Sequence, residues 1–540
     1  MSASQATPTV REATLEVLRR RSLTPMFANP GSTEVPFLAG LPDDIRFVLA
    51  LHEGPVVALA TGYAIGRGEP ALALLHTTAG LGNAVGALAT ARVNRAPIVV
   101  LVGQQDRRHL VFEPFLTGRL AGLAGEYPVW VDQPVRAQDL PGAVDRAWHE
   151  AATGRGPAIV IVPMDDWSAP VDADREDAAA GTVLRAAAVD ADGVDALVAF
   201  LAEADSPALV VGAGADDPAT WTALVELAER VVAPVFQESF GARAGFPQDH
   251  RLFAGFLPAD RPRLRQRLAP YDRVLVVGAP VFRQSPYAPG RFTDRAARIA
   301  LVTDDADEAH RSPAELVVLA PPAAVCRALA RRLAQREAEP PKQFQPPPAP
   351  APPAPREPLR AGHVLAALAE RLPRNAVVVE EAPVDRPELH ERLPAREPLG
   401  FLSAAMGGLG FALAGATGVR MALADRPVVA VVGDGSSLYG IQALWSAAHY
   451  RVGALFVILS NGGYAIMDRL AERQGGAAPW PGFAEVDVAA VARGFGCPAR
   501  NVTRHDELVE ALDEVVPTLA AREEPLLLDV AIAPTETFAP

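Results

Sequence analysis

Short apolar runs that stop at a turn, separated by longer stretches of helical pattern, recur along the whole 540-residue chain. They are Ile45–Leu51, Pro70–Leu75, Pro97–Gly103 and Ala158–Pro163 in the first third, then Ala208–Gly212, Arg273–Gly278, Arg298–Thr303 and Glu315–Leu319 in the middle. Ala376–Glu380, Val428–Val432, Ala454–Leu459 and Pro525–Ile532 complete the series. A run that is apolar at nearly every position has no face to offer water, so both faces must be covered, as in a parallel strand between helical layers. The pattern predicts an α/β chain of three consecutive doubly wound parallel-sheet domains. Between Pro340 and Pro358 ten of nineteen residues are proline. Such a segment lacks the donors and the freedom to join a helix or sheet, and reads as an extended linker. The expected domains are 1–180, 187–340 and 359–540, with 340–358 as the linker and the acidic, Ala-rich Asp172–Gly181 as the first boundary.

Hydrophobic residues make up 49% and charged residues 21%, the balance of a soluble globular protein. A net charge of −14 without a dense Lys/Arg run argues against nucleic acid or an anionic lipid surface as partner. The N-terminus lacks the basic start and apolar core of a signal peptide, and no run of 18 apolar residues occurs. Cys326 and Cys497 each sit beside apolar helical residues and read as reduced core thiols. A cytoplasmic protein acting on small molecules is expected.

The most informative motif lies in the last third. Val428–Val432 runs into Gly433-Asp434-Gly435-Ser436, a helical stretch to about Val452 follows, and Ala454–Leu459 ends in Ser460-Asn461-Gly462-Gly463. This unit puts two oxygen-bearing side chains at the carboxyl ends of two strands, where open α/β sheets bind ligands. Magnesium takes oxygen ligands, usually one or two carboxylates with phosphate and water. Asp434, the amide oxygen of Asn461 and the carbonyl of Gly463 suit it, while Gly433, Gly435 and the helix opening at Ser436 would let a phosphate approach. A Gly-Asp-Gly alone could be a plain turn; the matching Asn 27 residues on, at a second strand end, makes the pair a candidate site.

The pattern resembles the thiamine diphosphate motif, and the order of domains resembles the pyruvate decarboxylase and acetolactate synthase superfamily. Within it the chain is most similar to benzoylformate decarboxylase through Asn29-Pro30-Gly31-Ser32-Thr33-Glu34, Leu75-His76-Thr77-Thr78-Ala79-Gly80, Gly103-Gln104-Gln105, Gly278-Ala279-Pro280-Val281-Phe282-Arg283 and Gly407-Gly408-Leu409-Gly410-Phe411-Ala412-Leu413. The resemblance implies thiamine diphosphate and Mg2+ as cofactors. It also implies a homodimer or homotetramer, because in this superfamily the pyrimidine-binding domain of one subunit faces the diphosphate-binding domain of another.

Glu53 follows the strand Ile45–Leu51 and opens a helical stretch. On its own it is equally explained by pairing with an arginine or capping that helix; the resemblance gives it the place that hydrogen-bonds the pyrimidine ring. The resemblance likewise assigns the Gly407 carbonyl to the pyrimidine amino group and makes Leu409 a wedge beneath the cofactor rings, although Leu409 also suits a plain core. Ser32, in the turn after Pro25–Ala28, would bind the substrate carboxylate. His76, at the end of Ala71–Leu75, is by itself as well read as a structural residue; in the family it moves protons to and from the substrate.

Two departures stand out. The family carries a second active-site histidine where this chain has Ser285, and its pocket wall differs at Phe115, Ile466 and Leu470, with Leu116 beside them. Ile466 adds bulk near the reacting centre, so an aliphatic or slimmer 2-oxo acid is expected rather than benzoylformate. Gly212-Ala213-Gly214 looks like a dinucleotide turn without its third glycine. The resemblance implies decarboxylation of a 2-oxo acid to an aldehyde, with carboligation by the same site, an acetolactate synthase-like ligation or lyase reaction, or a non-catalytic scaffold as alternatives.

Overall fold

The computed structural model describes residues 7–172, 181–183, 189–293, 297–354 and 356–535. The expected boundary around Asp172–Gly181 therefore falls largely on residues outside those described. Among the described residues, eighteen strands form three six-stranded sheets, all of parallel pairs.

The first sheet has β1 (Met26–Asn29), β2 (Phe47–Leu49), β3 (Ala71–Leu75), β4 (Ile98–Gln104), β5 (Trp130–Asp132) and β6 (Pro157–Pro163), in the order β2-β1-β3-β4-β6-β5. The second has β7 (Pro207–Val211), β8 (Val235–Gln237), β9 (Phe253–Phe256), β10 (Arg273–Val277), β11 (Arg298–Thr303) and β12 (Leu316–Leu319), in the order β12-β11-β10-β7-β8-β9. The third has β13 (Val377–Glu381), β14 (Phe401–Ser403), β15 (Val428–Gly433), β16 (Leu455–Ser460), β17 (Ala499–Val502) and β18 (Leu526–Ala531), in the order β14-β13-β15-β16-β18-β17. The first and third sheets thus share one strand order. In both, the order reverses between the first and third strands of the sheet, which opens a crevice at the carboxyl edge.

The uninterrupted apolar runs are buried as their composition requires: every residue of β3, β4, β6 and β7 is buried. Several expectations need correction. The strand drawn over Ile45–Leu51 shortens to Phe47–Leu49, and Leu51 is 42% exposed. The helix drawn from Ser436 to Val452 is two pieces, Asp434–Ser437 and Ala443–His449, because the chain turns at Gly440 against the backbone of Gly410. Strands β5, β8, β9, β14 and β17 were not foreseen; all are short, and β5 and β17 are partly exposed.

The first and third domains are joined by two crossing helices, Glu53–Arg67 and Ala412–Ala422. A Cβ on Gly62 would sit 2.1 Å from the Gly415 carbonyl oxygen, and one on Gly418 would sit 2.1 Å from that of Leu59. Only glycine permits that approach, so the crossing is fixed by backbone contact rather than by adjustable side chains. Cys326 and Cys497 are buried free thiols, each pushed up to about 12 by burial. Among the described residues no helix is long and apolar enough to cross a membrane.

Candidate active site

At the carboxyl edge of the first sheet, the turn after β1 folds back on itself. The Glu34 carboxylate accepts the Gly31 N–H at 2.6 Å and the Thr33 hydroxyl. His76, which precedes the helix Thr77–Val93, places Nδ1 2.9 Å from Glu34 Oε2 and 3.1 Å from Thr33 Oγ1. The Glu34 side chain is 1% exposed and that of His76 15%. A carboxylate buried this far needs partners, and two glycines make room for this arrangement. A Cβ on Gly31 would lie 2.4 Å from the imidazole, and one on Gly103 would lie 1.6 Å from Glu34 Oε1. The His76–Glu34 pair was not foreseen; the only sequence signal was an acid three residues after the turn glycine.

Glu53 lies at the first position of its helix and is partly exposed. His52 caps that helix by accepting the Gly54 N–H, and Asn83 donates its amide to Glu53 Oε2 at 3.1 Å. A Cβ on Gly80 would meet Glu53 Cγ and His76 Cβ, each at 3.5 Å, so the two side chains flank the same turn. Ser32 is exposed at this edge.

The second group lies at the carboxyl edge of the third sheet. Asp434 Oδ1 accepts the Gly435 N–H at 2.7 Å, and Oδ2 accepts those of Asn461 and Gly462 at 3.0 and 2.7 Å. Burial raises the Asp434 pKa, and these three donors work against that rise. The Asn461 amide oxygen accepts the Gly463 N–H at 3.1 Å. Gly433 precedes the single helical turn Asp434–Ser437, which contains Gly435 and Ser436 and opens two residues earlier than expected. Tyr464, also unforeseen, lays its ring beside Gly435, 2.7 Å from where a Cβ would stand.

The donors here are oxygens only, which suits a hard cation. Among the described residues no group of three or more His, Cys, Asp or Glu converges, so such an ion would take its remaining ligands from phosphate and water. A Cβ on Gly463 or Gly407 would meet nothing within 4 Å, so both backbones border open space. The residues therefore fit a diphosphate held through a divalent cation.

The loop between β14 and the helix Ala412–Ala422 carries Gly407, with φ of 75°, and Leu409, which is 36% exposed and not part of the core. Ile466 and Leu470 fall one turn apart on the helix Ala465–Arg473. Phe115 is 87% exposed, with Leu116 next to it, and Ser285 is exposed. Among the described residues Glu53 and His76 form one group at the edge of the first sheet, and Asp434 and Asn461 another at the edge of the third. In the middle domain the turn Gly212-Ala213-Gly214 is filled by protein: Cβ atoms there would lie 2.7 Å from Glu238 Oε1 and Ala279 Cβ, and 2.8 Å from Arg95 Nη1.

Three family models match along the chain: "Thiamine pyrophosphate enzyme, N-terminal TPP binding domain" over residues 8–121, the central domain over 194–329, and the C-terminal TPP binding domain over 388–530. The chain is 38% identical to benzoylformate decarboxylase of Pseudomonas aeruginosa over 538 residues, which covers 98% of this chain and 100% of that one. It is 26% identical to acetolactate synthase isozyme 1 large subunit of Escherichia coli, over 95% of this chain and 92% of that one. Its fold matches a thiamine diphosphate-dependent 4-hydroxybenzoylformate decarboxylase of Rhodococcus jostii with a TM-score of 0.92, 35% identity, and 98% and 100% of the two chains covered. A benzoylformate decarboxylase of Polynucleobacter necessarius superposes with a TM-score of 0.91 at 31% identity, covering 98% of this chain and 99% of that one.

Proposed function

Since this chain belongs to the thiamine pyrophosphate enzyme family, we propose that it removes carbon dioxide without oxidation from a 2-oxo acid and releases the aldehyde. The observation that carries the reading is the imidazole of His76, held 2.9 Å from a buried carboxylate at an open sheet edge next to Glu53 and Ser32. A 2-oxo acid decarboxylase needs such a group, because the oxygen of the 2-oxo carbon must gain and lose a proton near neutral pH. Full-length similarity to the benzoylformate decarboxylases supports it further.

When bound, thiamine diphosphate supplies a carbon nucleophile and a place to hold the electrons that departing carbon dioxide leaves behind. Asp434, the amide oxygen of Asn461 and the carbonyl of Gly463 would hold Mg2+, and Gly433, Gly435 and Ser436 would border the diphosphate. Glu53 would hydrogen-bond the pyrimidine ring, the Gly407 carbonyl would accept from its amino group, and Leu409 would prop the rings. Ser32 receives the substrate carboxylate, and His76, oriented by Glu34, moves the proton at the substrate oxygen. Phe115, Leu116, Ser285, Ile466 and Leu470 line the substrate side. Ile466 favours a chain slimmer than a phenyl group, since overfilling a shaped pocket costs about 1–3 kcal/mol.

In this family the pyrimidine-binding domain of one subunit faces the diphosphate-binding domain of another, so the proposed working unit is at least a homodimer in which Glu53 of one subunit and Asp434 of the other share a site. The cytoplasm, a reducing compartment, suits two buried free thiols.

Calorimetric titration with thiamine diphosphate and Mg2+ tests the assignments. Wild type should bind, and Asp434→Ala should not. Glu53→Gln should bind with near-normal affinity while proton exchange at the thiazolium carbon slows by about 10²-fold or more. Near-normal exchange in Glu53→Gln, or full affinity in Asp434→Ala, contradicts the roles given to them.

A further inference from the structure

All three domains meet at the loop that bears Gly407 and Leu409. From the first domain, Asn94 is fully buried; its side-chain amide donates to the Ser403 carbonyl at 2.9 Å, and its amide oxygen accepts the Ala405 N–H at 3.0 Å. From the middle domain, Arg283 donates to the Ala405 carbonyl at 3.2 Å while paired with the buried Glu238 at 3.0 Å. From the third domain, Glu381 at the end of β13 accepts three consecutive backbone N–H groups: Gly410 at 2.6 Å, Phe411 at 2.8 Å and Ala412 at 2.6 Å. Between these anchors the loop turns outward. Gly410 has φ of 93° and lies so close to Tyr439 that a Cβ would be 3.1 Å from it. Met406 and Leu409 are left exposed.

This arrangement runs against the ordinary preferences of its parts. Burial pushes Glu381 up to about 8, despite its three donors, so the carboxyl is costly to keep inside. Hydrophobicity alone would draw Leu409 inward. The buried polar groups instead hold the backbone while the apolar side chain stands out in front of the sheet edge.

We infer that Glu381, together with Asn94 and Arg283, is a positioning residue that holds Leu409 and the Gly407 carbonyl at the height where the cofactor rings are to rest. The inference builds on the role proposed for Leu409. Glu381 acts most directly, because its Oε1 holds Gly410, the neighbour of Leu409. In Glu381→Gln one amide oxygen can still serve Phe411 and Ala412, but the NH2 group would face the Gly410 N–H, donor against donor.

The test uses the full-length protein loaded with thiamine diphosphate and Mg2+. Cofactor affinity is measured by calorimetry, and proton exchange at the thiazolium carbon without substrate. Glu381→Gln should keep its affinity within about threefold, since Asp434 and Asn461 are untouched, and should slow exchange by about tenfold or more. Leu409→Ala should slow exchange as well, and the double variant should lose less than the product of the two single losses, because one residue acts through the other. Slowed exchange in Leu409→Ala with normal exchange in Glu381→Gln overturns the inference and leaves the role of Leu409 standing. Normal exchange in both overturns that role and the inference with it. A large fall in affinity in Glu381→Gln also overturns it, by showing a general structural part. If Glu381→Gln does not fold, Asn94→Ala is read by the same criteria.

Discussion

Gly103 is the next-to-last residue of β4, a wholly buried strand, and the space it leaves is taken by Glu34. In Gly103→Ala the added Cβ would stand 1.6 Å from Glu34 Oε1 and 2.4 Å from Thr33 Oγ1, so the carboxylate must move and His76 loses its partner. Turnover should fall by about 10²-fold, the lower range for a displaced acid or base, while cofactor affinity measured by calorimetry stays normal. Unchanged turnover would show that the Glu34–His76 pair has no part in the reaction. The sequence presents Glu34 inside a recognisable segment but cannot show that its side chain bends back onto Gly31 or reaches an imidazole 42 residues away. His76, Glu53 and Asp434 are easier to single out, because each stands within two residues of the end of an apolar run. Glu381 and Asn94 escape notice for the opposite reason: each is a polar residue at the end of an ordinary element, and its partners are backbone groups far along the chain.

Among elements, the ones the sequence makes legible are those whose burial leaves no choice of residue. Strands β3, β4 and β15 consist almost wholly of branched aliphatic residues and alanine, and both faces are covered. The short strands escape because their residues answer to other demands; Arg500 and Asn501 of β17 are exposed on the sheet's last strand. The break after Ser437 was hidden for a similar reason. It depends on Gly440 meeting Gly410, a contact between loops that no local propensity records. The crossing of helices Glu53–Arg67 and Ala412–Ala422 gives a direct test at this scale. Gly62→Ala drives a Cβ into the Gly415 carbonyl oxygen, and backbone cannot step aside as a side chain can. We expect a loss of at least the ~1–3 kcal/mol typical of overpacking, read from denaturant unfolding. Gly82→Ala, on an open helix surface, serves as the control and should be neutral or stabilise by up to about 1 kcal/mol, because alanine is the better helix former. Equal effects would mean that the crossing is not tightly set.

For the whole molecule, the shared strand order of the first and third sheets yields two similar crevices, one carrying Glu53 and His76 and the other Asp434 and Asn461. The proposed site requires both. If they meet across subunits, Glu53→Gln and Asp434→Ala should each be nearly inactive alone, yet recover activity when co-assembled. Random pairing makes half the dimers mixed, and each mixed dimer has one intact site of two, so about a quarter of wild-type activity should return. No recovery from a mixture shown to contain mixed dimers would place both residues within one chain's site. The fold was legible because it rests on strand patterns, as was the pair of turns bearing Asp434 and Asn461 at the carboxyl edge of the third sheet. The choice of substrate was not, since in the proposed pocket it depends on how Phe115, Ser285 and the helix bearing Ile466 and Leu470, distant in sequence, come together. The most direct measurement is product analysis over aliphatic and aromatic 2-oxo acids, with and without thiamine diphosphate and Mg2+. The proposal predicts carbon dioxide and aldehyde in equal amounts, dependent on the cofactors, with a slim aliphatic substrate preferred over benzoylformate. No cofactor-dependent carbon dioxide from any of the acids, by an enzyme shown to bind the cofactors, would contradict it.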